Sequence, residues 1–192
     1  MNAIDDIWVT ASVGRAIAVV GGPVPEPPRQ WRAHRLNSRR SSNPGGVVQD
    51  ACTWLSDHID PSLVNRAKAM LGATLRRRVL KDTAESEGVD AFVELVNEAA
   101  QHVEHPLALV FDHVDRADED SLQLLRDLVA WPGRFQVAIL LHFDVMPEPD
   151  AGPAAELLAT VRVVEGPSGL IGTDYGPHTY AELKPAAKPS SH

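Results

Sequence analysis

The chain has 192 residues, of which 44% are hydrophobic and 23% are charged, the composition of an ordinary globular protein long enough to bury a sizeable core. Its formal net charge of −8 argues against non-specific nucleic-acid binding, and its single cysteine, Cys52, excludes an intrachain disulfide, a zinc finger and a CxxC redox pair. No apolar run approaches the roughly 18 residues that span a bilayer, and the acidic N-terminus lacks a signal-peptide pattern, so we expect a cytoplasmic protein without a membrane partner.

The N-terminal part of the chain is predicted to hold two strands joined by a stiff connector. After an arm over residues 1–12, Ile17 to Val20 form a β-branched run that ends at two glycines, as a buried strand does. The following PVPEPP cannot enter a helix and is typical of an extended, polyproline-like segment. Residues 31–36 (WRAHRL) alternate in polarity and predict an edge strand.

Apolar residues at helical spacing predict three helices in the middle of the chain. The stripes cover residues 48–59, 63–81 and 92–103, and Gly88 is expected to separate the second helix from the third. Cys52 lies on the apolar face of the first helix, so we expect a small core residue rather than a nucleophile. Trp8, Trp54 and Trp131 are expected to pack rather than to serve a site.

The second half of the chain alternates strands with helices. LALVF (107–111) and QVAILLHF (136–143) are unbroken apolar runs, typical of central strands in a parallel sheet. Asp118 is a candidate N-cap for the helix between them, and a helix at 153–159 with a strand at 160–164 completes the pattern. This order predicts an α/β three-layer sandwich over residues 13–165, with a mainly parallel sheet covered by helices on both faces and a flexible tail at 166–192.

The most informative stretch is LALVFDHVDRADEDSLQLL, residues 107–125. An apolar strand ends in Asp112, and a polar loop and an Asp-capped helix follow. In P-loop NTPases the acid at the tip of such a strand holds the Mg²⁺ water shell next to the phosphates. Ligands of open α/β sheets bind at the carboxyl ends of the strands, which is where Asp112 is expected to lie.

This stretch resembles the Walker B region of the STAND and AAA-type signal-transduction ATPases, the group that includes MalT-like regulators. Asp112 matches the first acid, Ala117-Asp118 the Ala-Asp pair, and SLQLL (121–125) the start of the next helix. The strand QVAILLHF resembles the next core strand of that family. The resemblance implies a P-loop NTPase-type sheet. It also implies a nucleotide and Mg²⁺ site that would involve Gly21, Gly22, Asp112, His113, Asp115 and Asp118.

The departures from the family pattern predict that this site is vestigial. His113 stands where the family has a second acid, and Phe143-Asp144 stands where it has a sensor arginine. After AVVGG the family supplies GxxxxGK[ST], whose amides and lysine cradle the phosphates, whereas this chain supplies PVPEPPRQW. No Gly-Lys-Ser/Thr occurs anywhere in the chain. We therefore expect no catalytic residue, no cofactor and no bound metal.

The function predicted from these residues is that of a catalytically inactive NTPase-like scaffold or adaptor. It would act through protein–protein contacts in a bacterial signalling or defence assembly, with a larger complex or an active ATPase subunit as partner. The alternative is a regulator that binds ATP or GDP weakly, with Mg²⁺, and hydrolyses little. A metal-assisted hydrolase built on residues 112–118 ranks below both.

Two further features allow alternative interpretations. The stretch RQWRAHRLNSRR is a candidate contact for a protein partner, with nucleic acid less favoured because the rest of the chain is acidic; a solvated loop is the alternative. The candidate contact residues are Arg29, Trp31, Arg32, Arg35, Arg39 and Arg40. His102 and His105 could form a ligand pair, although capping of a helix end is favoured.

Overall fold

The structure, a computed structural model, describes most of the chain between residues 14 and 165. The described residues are Trp8 and the ranges 14–24, 26–40, 44–57, 59–79, 87–102, 105–131, 133–149 and 152–165. The predicted tail at 166–192 and, apart from Trp8, the predicted arm at 1–12 lie outside these residues. No helix in the described ranges is both long and apolar enough to cross a membrane.

Within the described ranges, five strands form one sheet in which all neighbours are parallel. The strands are β1 (Ala16–Val20), β2 (Arg32–Asn37), β3 (Leu107–Asp112), β4 (Ala138–Phe143) and β5 (Arg162–Glu165). Their order across the sheet is β2-β3-β4-β1-β5. The register pairs Asn37 with Asp112 and Val20 with Phe143. The predicted parallel sheet is confirmed, as is the position of residues 31–36 on its edge.

Five α-helices and two short 3₁₀ turns connect the strands in the described part of the chain. The helices are α1 (Gly46–Leu55), α2 (Pro61–Val79), α3 (Glu87–His102), α4 (Glu119–Val129) and α5 (Pro153–Leu158). The 3₁₀ turns cover Ser38–Arg40 and Val114–Arg116. All five predicted helices are present, but α1 ends at Leu55, short of the predicted residue 59.

The two faces of the sheet are packed against by different numbers of helices and apolar side chains. The larger core cluster joins one face to buried side chains from all five helices, for example Val48 of α1, Phe92 of α3 and Leu157 of α5. The ring of His34 on β2 stacks on Trp54 of α1 with centroids 4.6 Å apart. The smaller cluster on the opposite face contains Trp8, which is itself helical. The sheet is therefore flanked by helices, with most of the apolar packing on one side.

The link from β1 to β2 crosses the less covered face without a helix in its described residues, 21–24 and 26–31. Val24 and Trp31 pack against the smaller cluster, and the Trp31 ring lies 5.7 Å from that of Trp8. The Trp31 amide donates to the carbonyl of Pro28 at 2.8 Å. A proline-rich segment, which supplies few amide donors, therefore occupies the span between these two strands.

Two of the three tryptophans expected to pack do so. Trp8 is buried and Trp54 packs against the larger cluster. The expectation for Trp131 is wrong, because its side chain is 65% exposed. It lies two residues after Val129, the last residue of α4, in the segment that leads to β4.

Gly88 is buried in the first turn of α3 and does not separate two helices as predicted. A Cβ at this position would lie 2.5 Å from Thr74 Oγ1 and 2.9 Å from Leu71 Cα, both in α2. The Gly88 amide also donates to Thr74 Oγ1 at 3.0 Å. The missing side chain therefore allows α2 and α3 to approach closely.

We expect Gly88→Ala to lower the free energy of unfolding by about 1–3 kcal/mol, since overpacking separates α2 from α3. Gly72→Ala in α2 is the matched control, because its Cβ would meet nothing nearer than Arg76 Nη1 at 3.7 Å. That variant should be neutral or more stable by up to about 1 kcal/mol, from helix propensity alone. Urea unfolding followed by circular dichroism measures both, and equal effects would refute the close-packing argument.

Cys52 is confirmed as a core residue. Its side chain is fully buried in α1, and burial raises the pKa of the thiol to about 12. Since the thiolate is the reactive form, we expect no reaction with a disulfide reagent in the folded protein at pH 8 and one thiol per chain after denaturation. Rapid labelling of the native protein would contradict this burial.

Candidate site at the carboxyl edge of the sheet

Three neighbouring strands bring polar side chains to one edge of the sheet. β3 ends in Asp112, β4 carries His142 as its penultimate residue, and β1 runs into Gly21 and Gly22. In a parallel sheet the carboxyl ends of all strands lie at the same edge, which is the usual ligand-binding edge of such folds. The predicted location of Asp112 is confirmed.

His142 links all three strands. Its Nδ1 lies 2.5 Å from Asp112 Oδ1, and its Nε2 lies 3.0 Å from the carbonyl oxygen of Gly22. The side chain is 5% exposed. Because a carbonyl oxygen only accepts, Nε2 must carry a hydrogen and donate it to Gly22, which leaves Nδ1 facing the carboxylate.

His113 lies near the other carboxylate oxygen of Asp112. Its Nε2 lies 3.6 Å from Asp112 Oδ2, and its Nδ1 lies 2.7 Å from Asp144 Oδ1. The two imidazole rings are 5.9 Å apart. His113 has a φ of +56°, a left-handed conformation that costs an L-residue about 1–2 kcal/mol. The backbone strain therefore coincides with the residue that completes this cluster.

Asp144 anchors the outer part of the cluster. Its carboxylate accepts from Arg39 and lies 3.2 Å from Arg116 Nε, while its amide donates to Asp115 Oδ1 at 2.9 Å. Burial by itself would raise the pKa of the Asp144 carboxyl, but hydrogen bonds from His113 and Arg39 and their charges hold this pKa below its ordinary value. Asp144 therefore stays ionised and orients His113.

The residues predicted for the vestigial site divide into two groups. Gly22, Asp112, His113 and Asp115 lie in or beside the cluster described above. Gly21 adjoins it, but its amide continues the β1–β4 ladder by donating to Phe143 O at 2.9 Å.

Asp118 performs the helix-capping role predicted for it. One carboxylate oxygen, Oδ1, accepts from the Ser121 amide at 2.9 Å and from the Gly45 amide at 3.0 Å. The other, Oδ2, accepts from Ser121 Oγ at 2.6 Å. Both oxygens therefore have hydrogen-bond donors, and the residue joins α4 to the start of α1.

Sequence reasoning missed His142 and gave Asp144 no role in the site. His142 was interpreted as part of an apolar core strand. One signal was available: an imidazole within an apolar strand must be hydrogen-bonded when it is buried. The partner could not be identified, because the register between β3 and β4 is a tertiary property.

The arginine-rich stretch is only partly free for a partner. Arg39 binds Asp144, Arg35 binds Glu26 at 3.0 Å, and Trp31 packs near Trp8. Arg29 and Arg32 have exposed side chains, and the backbone of Arg40 lies in the first 3₁₀ turn. Use of this stretch as a contact surface stays a prediction.

His102 Nδ1 lies 2.9 Å from the carbonyl oxygen of Glu98, one turn earlier in α3, so the ring bonds within its own helix and its predicted capping of the helix end stays a prediction.

Comparison with models of known protein families identifies the family of this chain. The AAA ATPase domain matches residues 33–140, which is more than half of the chain. The chain belongs to this family of AAA ATPase domains. The match begins in β2 and ends in β4, so it includes Asp112 and leaves out β1, the proline-rich connector and His142.

Solved structures add a weaker likeness, and no curated protein sequence matches the chain. The chain is similar to a chain in the structure of Drosophila ORC bound to GC-rich DNA and Cdc6, with a TM-score of 0.42 and 14% identity. It is also similar to a chain in the structure of Drosophila ORC bound to AT-rich DNA and Cdc6, with a TM-score of 0.38 and 13% identity. The alignments cover 95% and 85% of this AAA domain but only 61% and 55% of those chains.

We expect Asp118→Ala to destabilise the domain by about 1–3 kcal/mol, because it removes the N-cap of α4 and the acceptor of the Gly45 amide. Asp118→Asn is the matched control, since it keeps the Oδ1 acceptor shared by both amides and should lose less. The loss of stability in each variant is measured by thermal unfolding and compared with the parent chain. Equal losses would show that the amide contacts contribute little.

Proposed function

We propose that this AAA-type domain does not hydrolyse nucleotide and acts through protein–protein contacts. The observation that carries the proposal is the pair of contacts made by His142, to the Asp112 carboxylate and to the Gly22 carbonyl. The first contact holds the carboxylate that a P-loop NTPase would turn toward Mg²⁺, and the second fixes a carbonyl oxygen where such an enzyme presents amide donors to phosphate.

The segment after β1 does not fit a nucleotide phosphate. A phosphate cradle consists of backbone N–H groups and a lysine that all face the anion. Here the Gly21 amide bonds Phe143, Gly22 directs its carbonyl oxygen toward the edge, and the next residue is a proline without an amide hydrogen. An anion placed there would meet an oxygen acceptor.

The Asp112 carboxylate does not fit the Mg²⁺ role either. Mg²⁺ in such sites is held by oxygen ligands and water, with the substrate phosphates completing its shell. Imidazole nitrogens flank both oxygens of Asp112, at 2.5 and 3.6 Å. The contact at 2.5 Å is a hydrogen bond whose loss on rearrangement would cost about 1.5–3 kcal/mol, whereas the contact at 3.6 Å is electrostatic only. Hydrolysis would also lack the second acid of the family pattern, since His113 follows Asp112 directly.

Exposed apolar side chains at the same edge support a contact function. Val145 and Met146 follow Asp144 directly and are 64% and 39% exposed. Methionine is enriched where proteins bind one another, and the exposed Val145 extends the apolar surface beside it. The resemblance of residues 107–125 to signal-transduction ATPases supports a bacterial signalling or defence assembly, with a larger complex or an active ATPase subunit as partner.

Calorimetric titration of the full chain with ATP and Mg²⁺ tests the proposal. We expect no saturable heat with up to about 1 mM nucleotide, because the segment after β1 lacks the lysine and the set of free amides that hold phosphates in P-loop NTPases. A dissociation constant tighter than about 1 mM would contradict this expectation and favour a nucleotide-binding regulator.

A phosphate-release assay under the same conditions provides a second test, for which no activity is expected. Release that disappears in Asp112→Asn but persists in Asp57→Asn, an exposed carboxylate after α1, would refute the proposal.

A further inference from the structure

The cluster at the carboxyl edge contains a ligand set that the proposed contact function does not use. Asp112, His113 and His142 each offer one ligand atom, and these atoms all lie within 4.8 Å of one another. Ligand atoms around a tetrahedral Zn²⁺ lie about 3.3 Å apart, given metal–ligand bonds of about 2.0–2.2 Å. Small side-chain rotations would bring the three atoms to this spacing.

In each of the two imidazoles, the nitrogen that faces away from Asp112 already has a hydrogen-bond partner. His142 Nε2 bonds the Gly22 carbonyl oxygen at 3.0 Å, and His113 Nδ1 bonds the Asp144 carboxylate at 2.7 Å. A metal-binding histidine typically donates its second N–H to a carbonyl or a carboxylate in this way, which orients the ring and sets its tautomer. The two nitrogens that remain both face Asp112.

The short distance between His142 Nδ1 and the Asp112 carboxylate requires a proton or a metal ion between the two atoms. With its proton on Nε2, a neutral His142 turns the lone pair of Nδ1 toward a carboxylate oxygen 2.5 Å away. Two lone pairs at this distance repel each other, so either a shared proton or a metal ion must lie between them. A metal ion would satisfy Nδ1, the carboxylate and the lone pair of His113 Nε2 together.

The chemistry of the three candidate ligand atoms favours one class of metal ion. Two imidazoles and one carboxylate suit Zn²⁺ and its first-row neighbours, whereas Mg²⁺ and Ca²⁺ prefer oxygen ligands. The side chains of Asp112 and His113 are each about one-fifth exposed, which leaves solvent access for a water as the remaining ligand. Asp115 and Asp118 are outside this set, because they accept from the Asp144 amide and cap α4 respectively.

We propose that Asp112, His113 and His142 form a binding site for one divalent first-row transition metal, with Zn²⁺ as the best match. Asp144 and the Gly22 carbonyl act as positioning groups that orient the two imidazoles. The site does not depend on the proposed absence of nucleotide hydrolysis, because no phosphate contributes a ligand.

Zinc titration of the EDTA-treated full chain, without nucleotide, tests this site. We expect saturation at one Zn²⁺ per chain, a higher thermal unfolding temperature with Zn²⁺, and no comparable shift with Mg²⁺. Co²⁺ in place of Zn²⁺ should give the visible absorption of a low-symmetry nitrogen and oxygen site.

Two substitutions locate the metal. His113→Asn removes a ligand while asparagine still accepts the left-handed backbone conformation, and Asp112→Asn removes the carboxylate charge. Each should weaken Zn²⁺ binding by at least about tenfold. His102→Asn, an exposed histidine at the end of α3, is the matched control and should bind as the parent chain does.

Two results would overturn the proposed metal site. Absence of one-to-one Zn²⁺ binding would overturn the proposal and leave a proton shared between His142 and Asp112. Binding that His113→Asn and Asp112→Asn leave unchanged would place the metal elsewhere in the chain and also overturn it. Unfolding curves of the metal-free variants establish that each one is folded, so a loss of zinc binding reports the site itself.

Discussion

The carboxyl edge of this domain depends on one buried imidazole and the two acceptors that bind it. His142 joins Asp112 at the end of β3 to the Gly22 carbonyl after β1, so a single side chain connects three neighbouring strands. A buried imidazole must have hydrogen-bond partners, so His142 fixes the positions of the two groups that its ring nitrogens contact. The ends of β1, β3 and β4 are therefore held together by polar side-chain contacts as well as by the strand pairing.

The proline-rich connector imposes the second constraint. It leads from β1 to β2 without a helix in its described residues and places Val24 and Trp31 on the less covered face of the sheet. Its prolines supply no amide hydrogens, and the Gly21 amide is engaged in the sheet through Phe143 O. The same segment therefore limits the number of amide donors after β1 and covers part of this face.

Asp144 links the polar cluster at the carboxyl edge to the exposed residues near it. It orients His113 and contacts Arg39 and Arg116, so both arginines have an acidic partner within the domain. Any acidic partner of the arginine-rich stretch would depend more on Arg29 and Arg32, whose side chains are exposed. The apolar Val145 and Met146 lie next in the chain and widen the surface that a partner could contact.

Local patterns were enough to predict much of the fold. Unbroken apolar runs revealed the central strands, helical spacing revealed α1 to α4, and Asp118 was recognisable as an N-cap, because each of these signals arises from residues close together along the chain. The position of Asp112 at a strand tip followed for the same reason. The scarcity of amide donors after β1 also followed from the sequence, since proline lacks an amide hydrogen in any fold, and the absence of nucleotide binding stays a prediction.

The composition of the cluster could not be obtained from local patterns. His142 and Asp112 are thirty residues apart, and Gly22 and His142 are 120 apart. Their contact depends on the strand order β2-β3-β4-β1-β5, in which β4 lies between β3 and β1. Likewise, Gly88 resembled a helix boundary until the packing of α2 against it explained the missing side chain. Residue chemistry and short-range spacing thus specify the elements and their ends, whereas long-range strand order and packing decide which polar groups meet, because those contacts form only when distant segments come together.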